Sequence, residues 1–329
     1  MGHVAGNAAA RRVRLCLDLP LGVKQSGFDP WNESELFVPG MAMGAPPDPF
    51  FLGGQNWSLP PIHPQRLREQ GYRYFMACLR RHLRHAKILR LDHVMGLYRL
   101  FWVPEGMPAD QGVYVRYPSS ELLAILALES QRHQAVIVGE NLGTVPEYVN
   151  RSMRRHRILS TYVVPFNIAP EESPPVTPPV EDCVASLNTH DLPTFASFWR
   201  GVDIRRGLKM GLHDRQGAKR QCVQRRLTRR ALLAWLRGKG MLSPQDDDPH
   251  SVLKACLAML GASAANLVMV NMEDTWGETR PQNMPGVGPD LHANWQGKAR
   301  YSLEEFSRMP EVLCLFAMLD RWRKGVHRG

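Results

Sequence analysis

The strongest constraint in this chain is an alternation. Short apolar runs of strand length are separated by longer stretches whose apolar residues recur every three or four positions. That pattern specifies strands laid parallel with helices packed across them, so the sequence predicts an α/β fold of the (β/α)8 TIM-barrel type. Runs with strand character end near Asp18, Asp92, Glu140, Val164, Leu187 and Val270. A closed barrel needs eight strands, so the barrel is expected to be incomplete, with about six present.

The connecting stretches carry their own signals. Leu67, Gly71, Phe75, Leu79 and Leu83 recur every fourth residue and predict one amphipathic helix of about five turns feeding the strand before Asp92. A second helix over Glu121 to Leu128 feeds the strand before Glu140. Thr144, Pro146 and Glu147 read as a helix start, with Thr144 as N-cap and Glu147 at the capping-box position; Ser302 and Glu305 make the same pattern near the carboxyl end. Residues 1–11 read as a flexible tail and residues 12–329 as one partial (β/α) barrel. It carries a glycine- and proline-rich loop insertion over 22–64 and a mostly helical insertion over about 192–262.

Composition narrows the class. An apolar share of 44% fits an ordered globular protein, and no apolar run approaches the roughly 18 residues of a membrane helix, so no membrane partner is expected. Six scattered cysteines without a CxxC pair, and an amino terminus without a signal-like segment, predict reduced thiols in a cytoplasmic protein. The net charge of +10 raises the question of nucleic acid, but the arginines at 225, 226, 229 and 230 sit on a helical stretch and read as a solvated face. No nucleic-acid partner is therefore expected.

Three of the apolar runs close on acids: Asp92, Glu140, and Asp191 in Asn188-Thr189-His190-Asp191. In a (β/α) barrel the functional face lies at the carboxyl ends of the strands, where rigid backbone delivers such side chains. Cleaving a glycosidic bond needs two carboxyl groups, one to attack or activate and one to donate a proton. Arg90, two residues before Asp92, shares its side of the strand and would hold that carboxylate ionised. His190 offers a donor to a sugar hydroxyl. His63, His82 and His133 show no metal-like grouping. Trp57, Trp102, Trp199, Trp276 and Trp295 sit in expected loops or at element ends, where each could cover core or bury a sugar ring.

Ordered motifs from about residue 13 to 300 together resemble one family. They are Asp18-Leu19-Pro20, Gly44-Ala45-Pro46-Pro47-Asp48, Gly54-Gln55-Asn56-Trp57, Arg90-Leu91-Asp92-His93, Gly139-Glu140-Asn141-Leu142-Gly143, Thr189-His190-Asp191 and the stretch from Asn271 through Trp276 and Arg280 to Asn283. The chain resembles the 4-alpha-glucanotransferases (amylomaltase or disproportionating enzyme) of the alpha-amylase-like grouping. The resemblance implies retaining transfer of a 1,4-alpha-glucan segment to the 4-hydroxyl of glucose or another maltodextrin. It makes Asp92 the nucleophile, Glu140 the acid/base and Asp191 the acid that holds substrate hydroxyls, with no metal or organic cofactor required. Arg90, His190, Asp18, Gln55, Trp57 and Trp276 become supporting or substrate-binding residues. Members of the family are longer at the amino end, which implies that the first two strands are missing and that a separate amino-terminal segment or complementing chain could be a partner. The same residues also fit a truncated, inactive glucan-binding remnant or a fragment of a longer enzyme.

Overall fold

A computed structural model describes residues 1–47, 53–288 and 290–326. In chain order the strands are β1 (Cys16–Leu19), β2 (Met41–Ala45), β3 (Gln55–Asn56), β4 (Ile88–Leu91), β5 (Arg99–Pro104), β6 (Val113–Arg116), β7 (Val136–Gly139), β8 (Ser160–Val163), β9 (Cys183–Ser186) and β10 (Leu267–Met269). The chain divides into two compact units, Met1–Thr161 and Tyr162–Gly329. Parallel strands and covering helices make it an α/β protein, with no closed barrel among the described residues. Nor is any described helix long and apolar enough to cross a membrane.

The first unit holds two sheets. In one, β1, β4 and β7 run parallel in that order, with Asp18 opposite Arg90 and Leu91 opposite Gly139. A parallel bridge between Val138 and Leu159 continues it. Leu89, Leu91 and Ile137 on one face and Arg90 and Val138 on the other are all buried, which explains why these strands do not read as alternating ones. The second sheet, antiparallel in the order β3-β2-β5-β6, departs from the expected loop over 22–64. That segment contains a helix at Phe28–Asn32 together with β2 and β3. Met41 to Ala45 lacks β-branched residues, and what makes it a strand is its pairing with β5, from Met41 opposite Pro104 to Gly44 opposite Phe101. Asp48, in the motif after Gly44, lies outside the described residues.

Three local expectations are corrected. The single helix over 67–83 is two, Pro64–Glu69 and Arg73–Leu83, because Gly71 and Tyr72 both take left-handed backbone (φ 61° and 60°) and interrupt the hydrogen-bond ladder. The four-residue spacing survives the break because Leu67, Leu79 and Leu83 face the same core. Thr144 is not a cap: the helix starts at Glu147 with Pro146 before it, so Glu147 stands one residue from the cap and bonds Arg154 at 2.7 Å. The Gly-Ala-rich start forms a helix over Gly2–Ala10 in place of a frayed tail; its alanines favour helix, and none of its residues is buried.

In the second unit β9 and β10 are parallel, Leu267 opposite Val184, and β8, at the boundary of the units, completes the order β10-β9-β8. Helices Phe195–Arg200, Val202–Lys209, Arg215–Gly238 and Pro249–Gly261 follow β9. Their core includes Trp199, Leu232, Leu236, Leu253 and Leu257. Arg225 makes a two-pronged pair with Asp203 (3.0 and 2.7 Å) and covers the Phe198 ring, while Arg229 lies over Trp199. Part of the basic run thus serves helix packing. Ser302 and Glu305 form the capping box at the helix Leu303–Phe306.

Candidate active site

The first unit assembles four charged groups at the carboxyl ends of β1, β4 and β7. The parallel ladder continues past the strands: the Asp92 N–H donates to Leu19 O (3.1 Å), the Glu140 N–H to Leu91 O (2.9 Å), and the Val94 N–H to Glu140 O (2.9 Å). Both acids therefore stand on fixed backbone. Arg90 is 9% exposed; its Nη1 reaches both oxygens of Asp18 (2.9 and 2.7 Å) and Oδ1 of Asp92 (3.0 Å). Burial works to lower its pKa, but Asp18, Asp92 and Glu140 outweigh that and raise it, so the guanidinium is a permanent charge beside Asp92.

Glu140 has a different environment. Its Oε2 accepts the His93 N–H at 3.0 Å and its Oε1 the Leu142 N–H at 2.6 Å. Burial, with the Asp92 charge adding to it, raises its pKa against these donors and the Arg90 charge. One acid is thus stabilised by a cation while its neighbour is biased toward keeping a proton, the division of labour that acid/base chemistry on a carboxyl pair uses. Gly139 completes the placement: a Cβ there would come within 2.8 Å of the Val94 side chain and 2.9 Å of the Met153 methyl. Asn141, just after Glu140, accepts the Thr161 N–H (2.9 Å) and donates to Asn150 (3.0 Å).

Gln55 and Trp57 reach this group through His93. The Trp57 ring meets the imidazole edge-on at 5.3 Å, and its indole N–H donates to Gln55 Oε1 at 3.2 Å. His93 has left-handed backbone, and burial lowers its pKa against the pull of Asp92. Sequence reading left His93 and Asn141 out of the site; their adjacency to Asp92 and Glu140 was the available signal.

His190, Asp191 and Trp276 lie in the second unit. Asp191 follows β9 in a tight turn in which Leu192 N–H donates to Thr189 O (3.1 Å) and Asp191 N–H to the Thr189 hydroxyl (3.3 Å). Its Oδ1 accepts from Asn283 Nδ2 at 2.6 Å, and Oδ2 stands 3.2 Å from His190 Nε2. The His190 ring lies against Trp295, which is 61% exposed. The sequence marks Trp295 only as an aromatic that could cover core or bury a sugar ring and Asn283 only as the end of a motif; that both stand beside the Asp191 turn is not legible in it, since no periodicity links them to position 191. Trp276 packs on Tyr301 and Phe306, with its indole N–H buried and unpartnered among the described residues. Trp102, within β5, and Trp199, within a helix, are core residues and not loop aromatics. An open hollow of about 640 Å³ on the second unit, lined by Met318, Arg321 and Trp322, contains none of these acids. No three His, Cys, Asp or Glu side chains among the described residues gather as a metal site.

Residues 1–304 match the family described as 4-alpha-glucanotransferase, and the chain belongs to that family. The 4-alpha-glucanotransferase of Mycobacterium tuberculosis (strain H37Rv) is 37% identical over 294 residues, a match covering 88% of this chain and 40% of that protein. The one from Haemophilus influenzae is 34% identical over 313 residues, 93% of this chain and 45% of the relative. The crystal structure of amylomaltase from Corynebacterium glutamicum superposes with a TM-score of 0.82 at 28% identity, over 94% of this chain and 46% of that one. This chain spans less than half the length of each of these three proteins.

Proposed function

We propose that this chain carries the reactive part of a 4-alpha-glucanotransferase, in an incomplete (β/α)8 barrel over residues 12–329 with about six of eight strands present and the first two outside it. The observation that carries the reading is the contrast between Asp92, paired with Arg90, and Glu140, whose pKa is raised. In the first step Glu140 protonates the glucosidic oxygen while Asp92 attacks the anomeric carbon. The glucosidic bond breaks, the reducing-end sugar leaves with the proton, and a glycosyl ester forms on Asp92. Glu140, now a carboxylate, takes the proton of an incoming 4-hydroxyl, whose oxygen displaces Asp92. Asp191 holds donor hydroxyls as the ring flattens, with His190 beside it. Arg90 pairs with Asp92 and is itself held in place by Asp18, and Gln55, Trp57 and Trp276 belong to the glucan-facing loops.

Maltodextrins and glucose are the donor and acceptor, and the cytoplasm, where such glucans and reduced thiols occur together, is the proposed location. Water must be kept from the ester for transfer to prevail over hydrolysis. Incubating the folded, monodisperse chain with maltotriose is the test. Glucose together with longer maltodextrins is the expected result. A folded sample that redistributes nothing overturns activity for this chain and leaves the glucan-binding remnant as the reading, which maltodextrin binding would then check.

A further inference from the structure

A buried acid in the second unit stands outside the chemistry just described. Asp274 is 3% exposed, on the short helix Met272–Thr275 after β10. Its Oδ1 accepts the Phe195 N–H at 2.6 Å, and the Asn188 side chain lies close enough to the carboxyl to act on it as a second donor. Phe195 is where the chain leaves the Asp191 turn for a helix. At the other end of that turn Asn188, 4% exposed, donates to Pro193 O (3.2 Å) and accepts from Asn271 Nδ2. The Thr194 hydroxyl donates to Glu278 O. The turn bearing His190 and Asp191 is therefore tied at both ends to residues 271–278, and Asp274 supplies the one carboxylate among the ties.

We infer that Asp274 is a positioning residue, which by anchoring the Phe195 N–H fixes the Asn188–Thr194 turn and so sets where the Asp191 carboxylate stands. For catalysis this rests on the transferase reading; the anchoring itself does not. An unpaired buried N–H is costly, so loss of the acceptor should release the turn and not leave it in place. Placement of a group that acts on the transition state is demanding, and an error near 1 Å costs about a hundredfold in rate.

The experiment compares Asp274→Ala with Asp274→Asn in the full chain, the second keeping a carbonyl oxygen for Phe195. Hydrogen exchange should quicken over residues 188–200 in Asp274→Ala and stay near wild type in Asp274→Asn, with Ile88–Leu91 and Val136–Gly139 unchanged in both. With maltotriose, kcat should fall about a hundredfold in Asp274→Ala with KM little altered, and Asp274→Asn should recover all but about tenfold of it. If Asp274→Ala does not fold, Asp274→Leu takes its place, since it is close in size to Asp and has no acceptor for the Phe195 N–H. Unchanged exchange over 188–200 in a folded variant overturns the anchoring. Quickened exchange with unchanged kcat overturns the link to Asp191. A wild-type chain without transfer overturns the transferase reading alone, and exchange still decides the anchoring.

Discussion

The two units hold their strand-end acids by opposite means. In the first, a guanidinium that is almost buried binds Asp18 and Asp92 together, and the neighbouring Glu140 loses solvent without gaining a cation of its own. In the second, Asp191 is held by an amide from Asn283 and an imidazole from His190, and the buried acid tied to its turn, Asp274, accepts a backbone N–H from Phe195. Charge placed against charge separates protonation states, which suits a pair that must exchange a proton with substrate. Side-chain donors fixed by the local turn set direction, which suits a group proposed to grip hydroxyls through both steps. The difference teaches that carboxylates alike in sequence position differ in what their surroundings equip them to do.

The sharpest way to break this comparison is to remove the proposed nucleophile. Asp92→Asn should lower transfer from maltotriose by about 10⁴-fold or more while leaving maltodextrin affinity within a few-fold, checked by single-turnover assay and calorimetry. Next in size is Glu140→Gln, with a loss of about 10²–10⁴-fold, the range of general acid–base catalysis; a leaving group that needs no protonation, such as fluoride, should restore the first step. Asp191→Asn should cost about 10²–10³-fold without moving the pH profile, since its setting is one of orientation. A profile that did move would erase the distinction between the units.

Arg90→Gln sharpens the comparison through pH. Arg90 lowers the Glu140 pKa, so removing its charge raises that pKa further. Glu140 must be protonated for the first step, so activity is lost as pH rises through its pKa, and the alkaline limb of kcat/KM should move to higher pH in the variant. The smallest effect concerns stability. Burial pushes Asp274 from 3.8 up to about 7, so the folded state binds this proton more tightly than the unfolded chain and stability falls as pH rises across that interval. Asp274→Asn should show little difference from wild type near pH 4 and an increasing relative gain in Tm up to about pH 7, flat beyond it.

The strands before Asp92 and Glu140 are legible in the sequence because burial on both faces leaves mostly apolar runs bounded by polar residues. Their pairing is what brings Arg90 opposite Asp18, and no local pattern encodes a contact across 72 positions. The antiparallel sheet around Met41–Ala45 stayed hidden because its partner strand supplies the conformation that its own side chains do not favour. The break at Gly71-Tyr72 was masked by a spacing that holds on either side of it. At the acids themselves, residue identity was readable and environment was not: nothing in a carboxylate's neighbours along the chain says that partial burial raises the Glu140 pKa or that Asn283 donates to Asp191.

The contact between position 139 and its neighbours has a consequence for how this site can be altered. With Val94 and Met153 already against the space where a Cβ would sit, even alanine at 139 must displace both of them, and the Val94 N–H donates to the Glu140 backbone carbonyl. Single-site diversification at 139 should therefore favour glycine strongly, with alanine costing the shift of Val94. A laboratory lineage that leaves glycine there must first make room at position 94 and let the Met153 methyl move, so the order in which the changes arise decides whether the path is open at all.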